Sequence, residues 1–266
     1  MTNPKAAART ARRSDTFRRV ARAGFVVVGL VHIIIGAIAI SIASGGGGDA
    51  DQDGAMEQIR STAVGGLILG LVALGLIALA AWQVVSALVA VPGGEVKKWG
   101  QRVKLFGIAA AYLVIAGLAL IFAFGGHVES EHTTRTLSAT VLAAPGGVAL
   151  LILVGLVVIG VGIGFIGGGF TTGFEKTLDM PSGAPHIPIV VLGVAGYIAK
   201  GIAVAVTGVL FVVAAWTQDP EKAGGLDAAL RSLVDLPLGR VVLWCVGAGL
   251  VIYGIFSMVR ARYARM

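Results

Sequence analysis

Long apolar stretches without a single charge constrain this chain more than any other feature. Residues 23–43 and 63–91 contain no Asp, Glu, Lys or Arg. A hydrocarbon core about 30 Å thick is crossed by roughly 20 helical residues, so each stretch is long enough to span a bilayer. Inside the bilayer the backbone must satisfy its own hydrogen bonds, which only helices or closed barrels achieve. Continuous apolar runs, as opposed to alternating ones, select helices. Composition agrees, because 13% of the residues are charged and 56% are hydrophobic, whereas a soluble domain carries about 25% charge. Six spans are predicted, at about residues 23–43, 64–90, 105–124, 147–166, 189–216 and 241–259. The first is expected to be retained as a span, because no convincing small-residue cleavage site precedes the acidic loop that follows it.

The connections alternate in charge. One set holds Gly45 to Gly48 with Asp49, Asp51 and Asp53, then Glu129 and Glu131, then Asp219, Glu221, Asp227 and Asp235. The other holds Arg9, Arg12, Arg13, Arg18, Arg19 and Arg22, then Lys97, Lys98, Arg102 and Lys104, and finally Arg260, Arg262 and Arg265. The basic side has 15 Lys/Arg and 4 Asp/Glu, and the acidic side has 5 and 10. Lys and Arg are retained in the cytoplasm during insertion, so both termini are expected inside, in a multi-pass protein of the cell membrane. Trp216 and Trp244 then mark the outer interface and Tyr263 the inner one. The net charge of +7 reads as a topology signal, so nucleic acid is not an expected partner. Cys245 is the only cysteine, which excludes an intrachain disulfide and leaves a small residue facing lipid or a helix.

An internal repeat emerges from glycine spacing. Gly24, Gly29 and Gly36 are spaced five and seven apart, as are Gly196, Gly201 and Gly208, with Phe25 and Tyr197 following the first glycine. The middle copy keeps Phe106 and Gly117, with Leu105 and Ala110 for the other two glycines. In the even spans Gly65 and Gly75 match Gly239 and Gly249, and Pro145 and Gly147 match Pro237 and Gly239, although Val157 replaces the later glycine. Each unit contains two spans, so successive copies enter the membrane in the same direction as parallel repeats. The fold class is all-α and polytopic, with six transmembrane helices as three two-helix repeats, expected in a pseudo-threefold arrangement. Gly66 with Gly70, and Gly160, Gly164 and Gly168, place glycines four apart on one helix face, where backbones can approach closely.

The expected organisation is a basic cytoplasmic segment (1–22), repeat 1 (23–91), a basic linker (92–104), repeat 2 (105–168), a second linker (169–188), repeat 3 (189–259) and a basic tail (260–266). The glycine runs 45–48 and 167–169 read as flexible linkers. In the last acidic-side connection, Leu226, Ala229, Leu230 and Leu233 fall at helical spacing, predicting an interfacial helix over 226–238.

With these repeats laid out, the chain resembles the actinobacterial membrane family called domain of unknown function 1206, whose members carry a transmembrane helix pair three times. The resemblance rests on Ala21-Arg22-Ala23-Gly24-Phe25, on Gly196-Tyr197-Ile198-Ala199-Lys200-Gly201, and on Pro237-Leu238-Gly239-Arg240-Val241 leading to Leu243-Trp244. It covers nearly the whole chain after residue 20, and the middle copy departs most. It implies a fold and a location, but no activity, substrate or cofactor.

Candidate residues for chemistry are few. Lys200 is the only formal charge within a span, and an intramembrane charge is a functional hypothesis by default. Its ammonium is expected to snorkel toward the basic-side headgroups or contact lipid phosphate, the alternatives being an internal pair with His32 or a cation lining a pathway. His32, between Gly29 and Gly36, needs a hydrogen-bond partner or a water-lined cavity. Haem for electron transfer takes two axial ligands, and no second histidine lies in a span. His127, Glu129, Glu131 and His132 are ligand types for zinc or copper, but their spacing fits no closed metal motif and they read as a solvated loop. His186, between Pro185 and Pro188, reads as a linker residue. No cofactor or metal is expected, and there is no Walker loop, strand-linked dinucleotide fingerprint or catalytic triad pattern.

No span contains Asp or Glu, which disfavours a carboxylate proton relay. Three functional classes remain. The favoured one is a non-enzymatic protein that binds membrane lipids or another membrane protein, through glycine grooves and a basic inner surface. The second is a channel or passive carrier with a pathway between repeats touching His32, Gln83, Tyr112 or Lys200. The third, an enzyme or redox component, lacks convergent reactive groups. The sequence does not fix the oligomeric state.

Overall fold

A computed structural model of the chain describes residues 14–89, 95–179 and 186–265. Arg9, Arg12, Arg13 and Pro185 lie outside the described residues, as does the side chain of Lys97. Nine α-helices occur among the described residues: α1 (Asp15–Ala43), α2 (Gln52–Arg60), α3 (Gly65–Leu88), α4 (Glu95–Ala123), α5 (Ser130–Ala143), α6 (Gly147–Phe170), α7 (His186–Thr217), α8 (Leu226–Ser232) and α9 (Gly239–Tyr263). Six of them are long and apolar enough to cross a membrane: α1, α3, α4, α6, α7 and α9. Two of these begin earlier than the apolar runs do, α1 at Asp15 and α4 at Glu95. Apolarity marks the membrane and not the helix, and Arg, Lys and Glu propagate a helix into water nearly as well as Leu. Residues 95–104, read as linker from their charge, are therefore the first turns of α4.

The chain divides into two compact units, one of residues 1–28, 59–127 and 257–266, the other of residues 29–58 and 128–256. Small residues spaced by sevens organise the second unit. A Cβ added at Gly155 in α6 would stand 2.8 Å from the Gly208 carbonyl oxygen in α7, and one at Gly162 would stand 2.7 Å from that of Gly201. The pattern recurs between α1 and α9, where a Cβ added at Gly36 would stand 2.5 Å from the Gly247 carbonyl oxygen and one at Gly254 would stand 2.5 Å from that of Gly29. Each pair is antiparallel and in constant register. In lipid, where tail-to-tail exchange gives no hydrophobic drive, such close backbone approach supplies the packing energy. Around the α1–α9 seam, Val31, Ile35, Ala39, Leu243, Val246 and Leu250 are buried in one apolar cluster.

In the first unit, α3 packs along α4. A Cβ at Gly66 would stand 3.2 Å from the Ala123 carbonyl oxygen. Stepping inward by sevens from that contact leads to Ala73 and Ala80 on α3 and to Ala116 and Ala109 on α4, all four of them buried. Alanines here take the part that glycines take in the other two seams. This corrects the alignment of the middle repeat: its seam positions are Ala109 and Ala116, not Ala110 and Gly117. Ala110 is exposed, and nothing lies within 4 Å of a Cβ added at Gly117. A one-residue slip turns a helix by about 100°, enough to move a position off the seam. Gly24 also belongs to this unit and lies against Gly75 and Leu79 of α3.

On the acidic side each repeat inserts a short helix, α2, α5 or α8, before its second span. Only the last was expected from sequence, and α8 ends at Ser232, short of 238. Each second span opens on the glycine at the equivalent place, Gly65, Gly147 or Gly239, whose N–H donates to the carbonyl three residues back (2.9, 2.9 and 2.7 Å). The carbonyl six residues back crowds the same three glycines, so a side chain there would collide with backbone. Gly167 to Gly169 are not a linker. They are the last turn of α6, where Gly169 lies against Val194, Tyr197 and Ile198 of α7. Gly45 and Gly48 do lie outside helices, at φ +90° and +117°, a region glycine enters without steric cost.

Candidate functional site

Within the second unit the polar residues of three spans meet at one tyrosine. Lys200 in α7 donates from Nζ to the Tyr253 hydroxyl of α9 at 3.2 Å. Its ammonium lies 4.3 Å from the Tyr253 ring centroid and 5.1 Å from that of Phe165 in α6. The His32 ring of α1 is tilted against Tyr253 with centroids 4.8 Å apart. The two candidates that stand out in the sequence, Lys200 and His32, thus share Tyr253. That residue escaped the sequence reading because one tyrosine in an apolar run resembles any packed aromatic.

The surroundings are aromatic. Tyr197 packs edge-on to Tyr253 at 5.7 Å, Phe174 meets Tyr197 and Phe256 at 5.3 and 5.0 Å, and Phe165 meets Tyr197 at 5.8 Å. Phe174 sits on the 3₁₀ turn Gly173–Thr177 that follows α6, and its ring fills the space above Gly193. Gly196 is required at the same place, since a Cβ there would stand 2.6 Å from Tyr253 Cα. Ring faces carry negative quadrupole density, so two of them and a hydroxyl oxygen stabilise an ammonium away from water. They supply no net negative charge. Lys200 lies about 21 Å along α7 from His186 at 1.5 Å per residue, inside the span.

A second polar group lies on the acidic side of the same unit. The Asp227 carboxylate accepts the Ala50 N–H at 2.7 Å and the Arg231 Nε–H at 2.5 Å, and Arg231 also donates to the Gly48 carbonyl at 2.6 Å. Asp53 accepts the Ser130 N–H at the start of α5 at 2.6 Å, where a helix N-terminus favours negative charge. Glu131 pairs with Arg135, which reaches Glu221 at 3.2 Å. Asp53, Glu131 and Asp227 are each the second residue of their helices, a correspondence visible in the sequence only once those helices are known. Asp51 accepts the Gly54 N–H at 3.0 Å. Burial pushes its carboxyl from 3.8 up to about 6, the Gly54 bond opposes this, and the neighbouring carboxylates of Asp53, Asp227 and Asp49 add to it.

The remaining sequence candidates are dispersed among structural roles. His127 packs edge-on to Phe122 at 5.7 Å, and no group of three ligand-type residues suited to a metal ion occurs among the described residues. His186 opens α7 and lies 3.4 Å from Glu175. Cys245 is exposed on α9.

Six apolar spans, no extended sheet among the described residues and a thrice-used pattern of seams and glycine-started helices define an all-α polytopic membrane protein built from helix-pair repeats. The chain belongs to the family described as Domain of Unknown Function (DUF1206), whose profile matches residues 23–90, 103–172 and 195–264. Those starts place Gly29, Ala109 and Gly201 at one position and Gly36, Ala116 and Gly208 at another, the register found in the seams. The chain is 32% identical over 253 residues to an uncharacterized protein, YxxB, of Bacillus subtilis (strain 168), a match that covers 94% of this chain and 92% of that protein. No solved structure gives a significant match.

Proposed function

We propose that this is a non-enzymatic protein of the cell membrane, with both termini in the cytoplasm, that binds anionic lipid. The observation that carries the reading is the uncompensated ammonium of Lys200. No predicted span contains Asp or Glu, and the protein gives Lys200 one hydroxyl and two ring faces. A cation held in a span draws its counter-charge from outside the chain, and the headgroups of the basic-side leaflet are the nearest supply of negative charge. Copurified lipid, measured by native mass spectrometry, tests this. The wild-type chain retains anionic phospholipid and Lys200→Met retains several-fold less while melting at a similar temperature. Equal retention by the variant would remove Lys200 from the account.

A passive carrier is the second reading, favoured by the meeting of His32, Tyr253 and Lys200 within the spans. It predicts solute flux in liposomes that changes in Lys200→Met and His32→Leu. Unchanged flux in both variants would leave lipid binding as the sole reading.

A further inference from the structure

We infer that Arg22 and Arg260, in the first unit, form a site for a phosphate anion at the basic end of α1 and α9, occupied in the membrane by the headgroup of an anionic phospholipid. The inference takes its occupant from the lipid-binding reading, but it rests on other residues than Lys200. The Arg260 guanidinium lies over the Phe25 ring, 4.6 Å from its centroid. Arg22, three residues before Phe25, donates from Nη2 to the Ala264 carbonyl of the chain that follows α9, at 3.2 Å. Phe25 and Arg22 share one face of α1, and Arg260 and Ala264 are four apart, so the two contacts bring both guanidinium groups to one place.

Among the described residues, neither group has an acidic partner. The Nε atoms of Arg22 and Arg260 are both buried with no hydrogen-bond partner among the described residues. Arg260 makes no hydrogen bond to any described residue, and Arg22 makes the one to Ala264. The nearest acid along this stretch of α1, Asp15, lies 3.7 Å from Arg18. A buried donor left without a partner is costly, the more so when charged, so two such guanidinium groups in one place favour an acceptor beside them. Stacking on Phe25 holds the Arg260 guanidinium in orientation, and its two Nη groups, which have no partner among the described residues, offer paired N–H groups matched to two phosphate oxygens. Arg22 lies about one turn inside the membrane-length stretch Arg18–Ala43 of α1, and Arg260 one turn before the end of Gly239–Tyr263 in α9, just outside the charge-free runs, at the level where headgroup phosphates stand.

Thermal unfolding of the full chain in a mild uncharged detergent tests the site, because a ligand that binds the folded state raises the midpoint with occupancy. The probes are dioctanoyl phosphatidylglycerol, dioctanoyl phosphatidylcholine and inorganic phosphate. The wild-type midpoint should rise with phosphatidylglycerol at concentrations at least tenfold below those needed of phosphatidylcholine. Arg22→Gln and Arg260→Gln should each weaken the response about tenfold, and Arg262→Gln, at an exposed arginine of the same end, should leave it unchanged. A response to inorganic phosphate equal to that of phosphatidylglycerol would assign the same donors to a soluble phosphate. Should the glutamine variants fail to fold, Arg260→Lys decides: it keeps the charge but loses the paired donors, and should bind several-fold more weakly. Unaltered binding in the folded variants, or no response of the wild type to either anion, overturns the site. Lipid that copurifies through Lys200 despite that result would leave the broader reading intact.

Discussion

At Asp51 the chain buries a carboxyl beside three others, and the consequence is a pH dependence of defined sign. The folded chain holds this proton up to about pH 6, whereas the unfolded chain releases it near 3.8. The native state binds more protons across that window, so its stability falls as pH rises from 4 through 6. Thermal unfolding should therefore show a higher midpoint at pH 5 than at pH 7. Asp51→Asn keeps the cap on Gly54 and should flatten that dependence, gaining at most about 3 kcal/mol at pH 7. A midpoint that rises from pH 5 to 7 and ignores the substitution would contradict the assignment. Lys200 and His32 were legible because a polar residue in an apolar run stands out. Tyr253, which joins them, was not: only the packing of α1, α7 and α9 gives its hydroxyl a meaning. Arg22 and Arg260 were legible as basic-end charges, but their stacking and unpaired donors depend on which helix ends meet.

Among the helices, seam glycines and lipid-facing glycines should respond in opposite senses. Gly162→Ala drives a methyl into the Gly201 carbonyl and Ala205, and overpacking of this kind costs about 1–3 kcal/mol. Gly160→Ala, two residues away, meets nothing within 4 Å and should gain up to about 1 kcal/mol from helix propensity. Urea or thermal unfolding of the pair checks this, and equal effects would mean that α6 does not meet α7 through that face. Leu238 holds φ at +60° immediately before α9, where the second repeat has Gly146 at +76°. An L-residue there costs about 1–2 kcal/mol, so Leu238→Gly should raise the unfolding midpoint, and a fall would contradict the strain. The seams of the outer repeats were visible as glycine spacing. The middle one was misplaced by a residue, because alanine is too common in an apolar run to mark a register. The short helices α2 and α5 were missed since their charged residues read as loop, and only the helix after each acidic residue reveals that Asp53 and Glu131 occupy the same place as Asp227.

For the molecule as a whole, the charge asymmetry of the connections makes orientation testable. With Cys245 replaced by Ser, Glu129→Cys should react with a membrane-impermeant thiol reagent in intact cells, and Arg262→Cys only after permeabilisation. The reverse pattern would invert the orientation and place the Arg22 and Arg260 donors at the outer leaflet. The number of spans and the direction of the repeats followed from hydropathy and spacing alone, since a bilayer leaves a chain few alternatives. The side chains on which the proposed binding rests, Lys200, Arg22 and Arg260, are a handful and lie outside the repeated seam pattern. Native mass spectrometry of the chain released from its own membrane, with an absorbance spectrum of the same sample, tests the central claim most directly. The account predicts a retained mass equal to one or more anionic phospholipids and no visible absorbance. A chain that emerges bare under conditions that preserve its fold, or one that carries a coloured group in place of lipid, would contradict it.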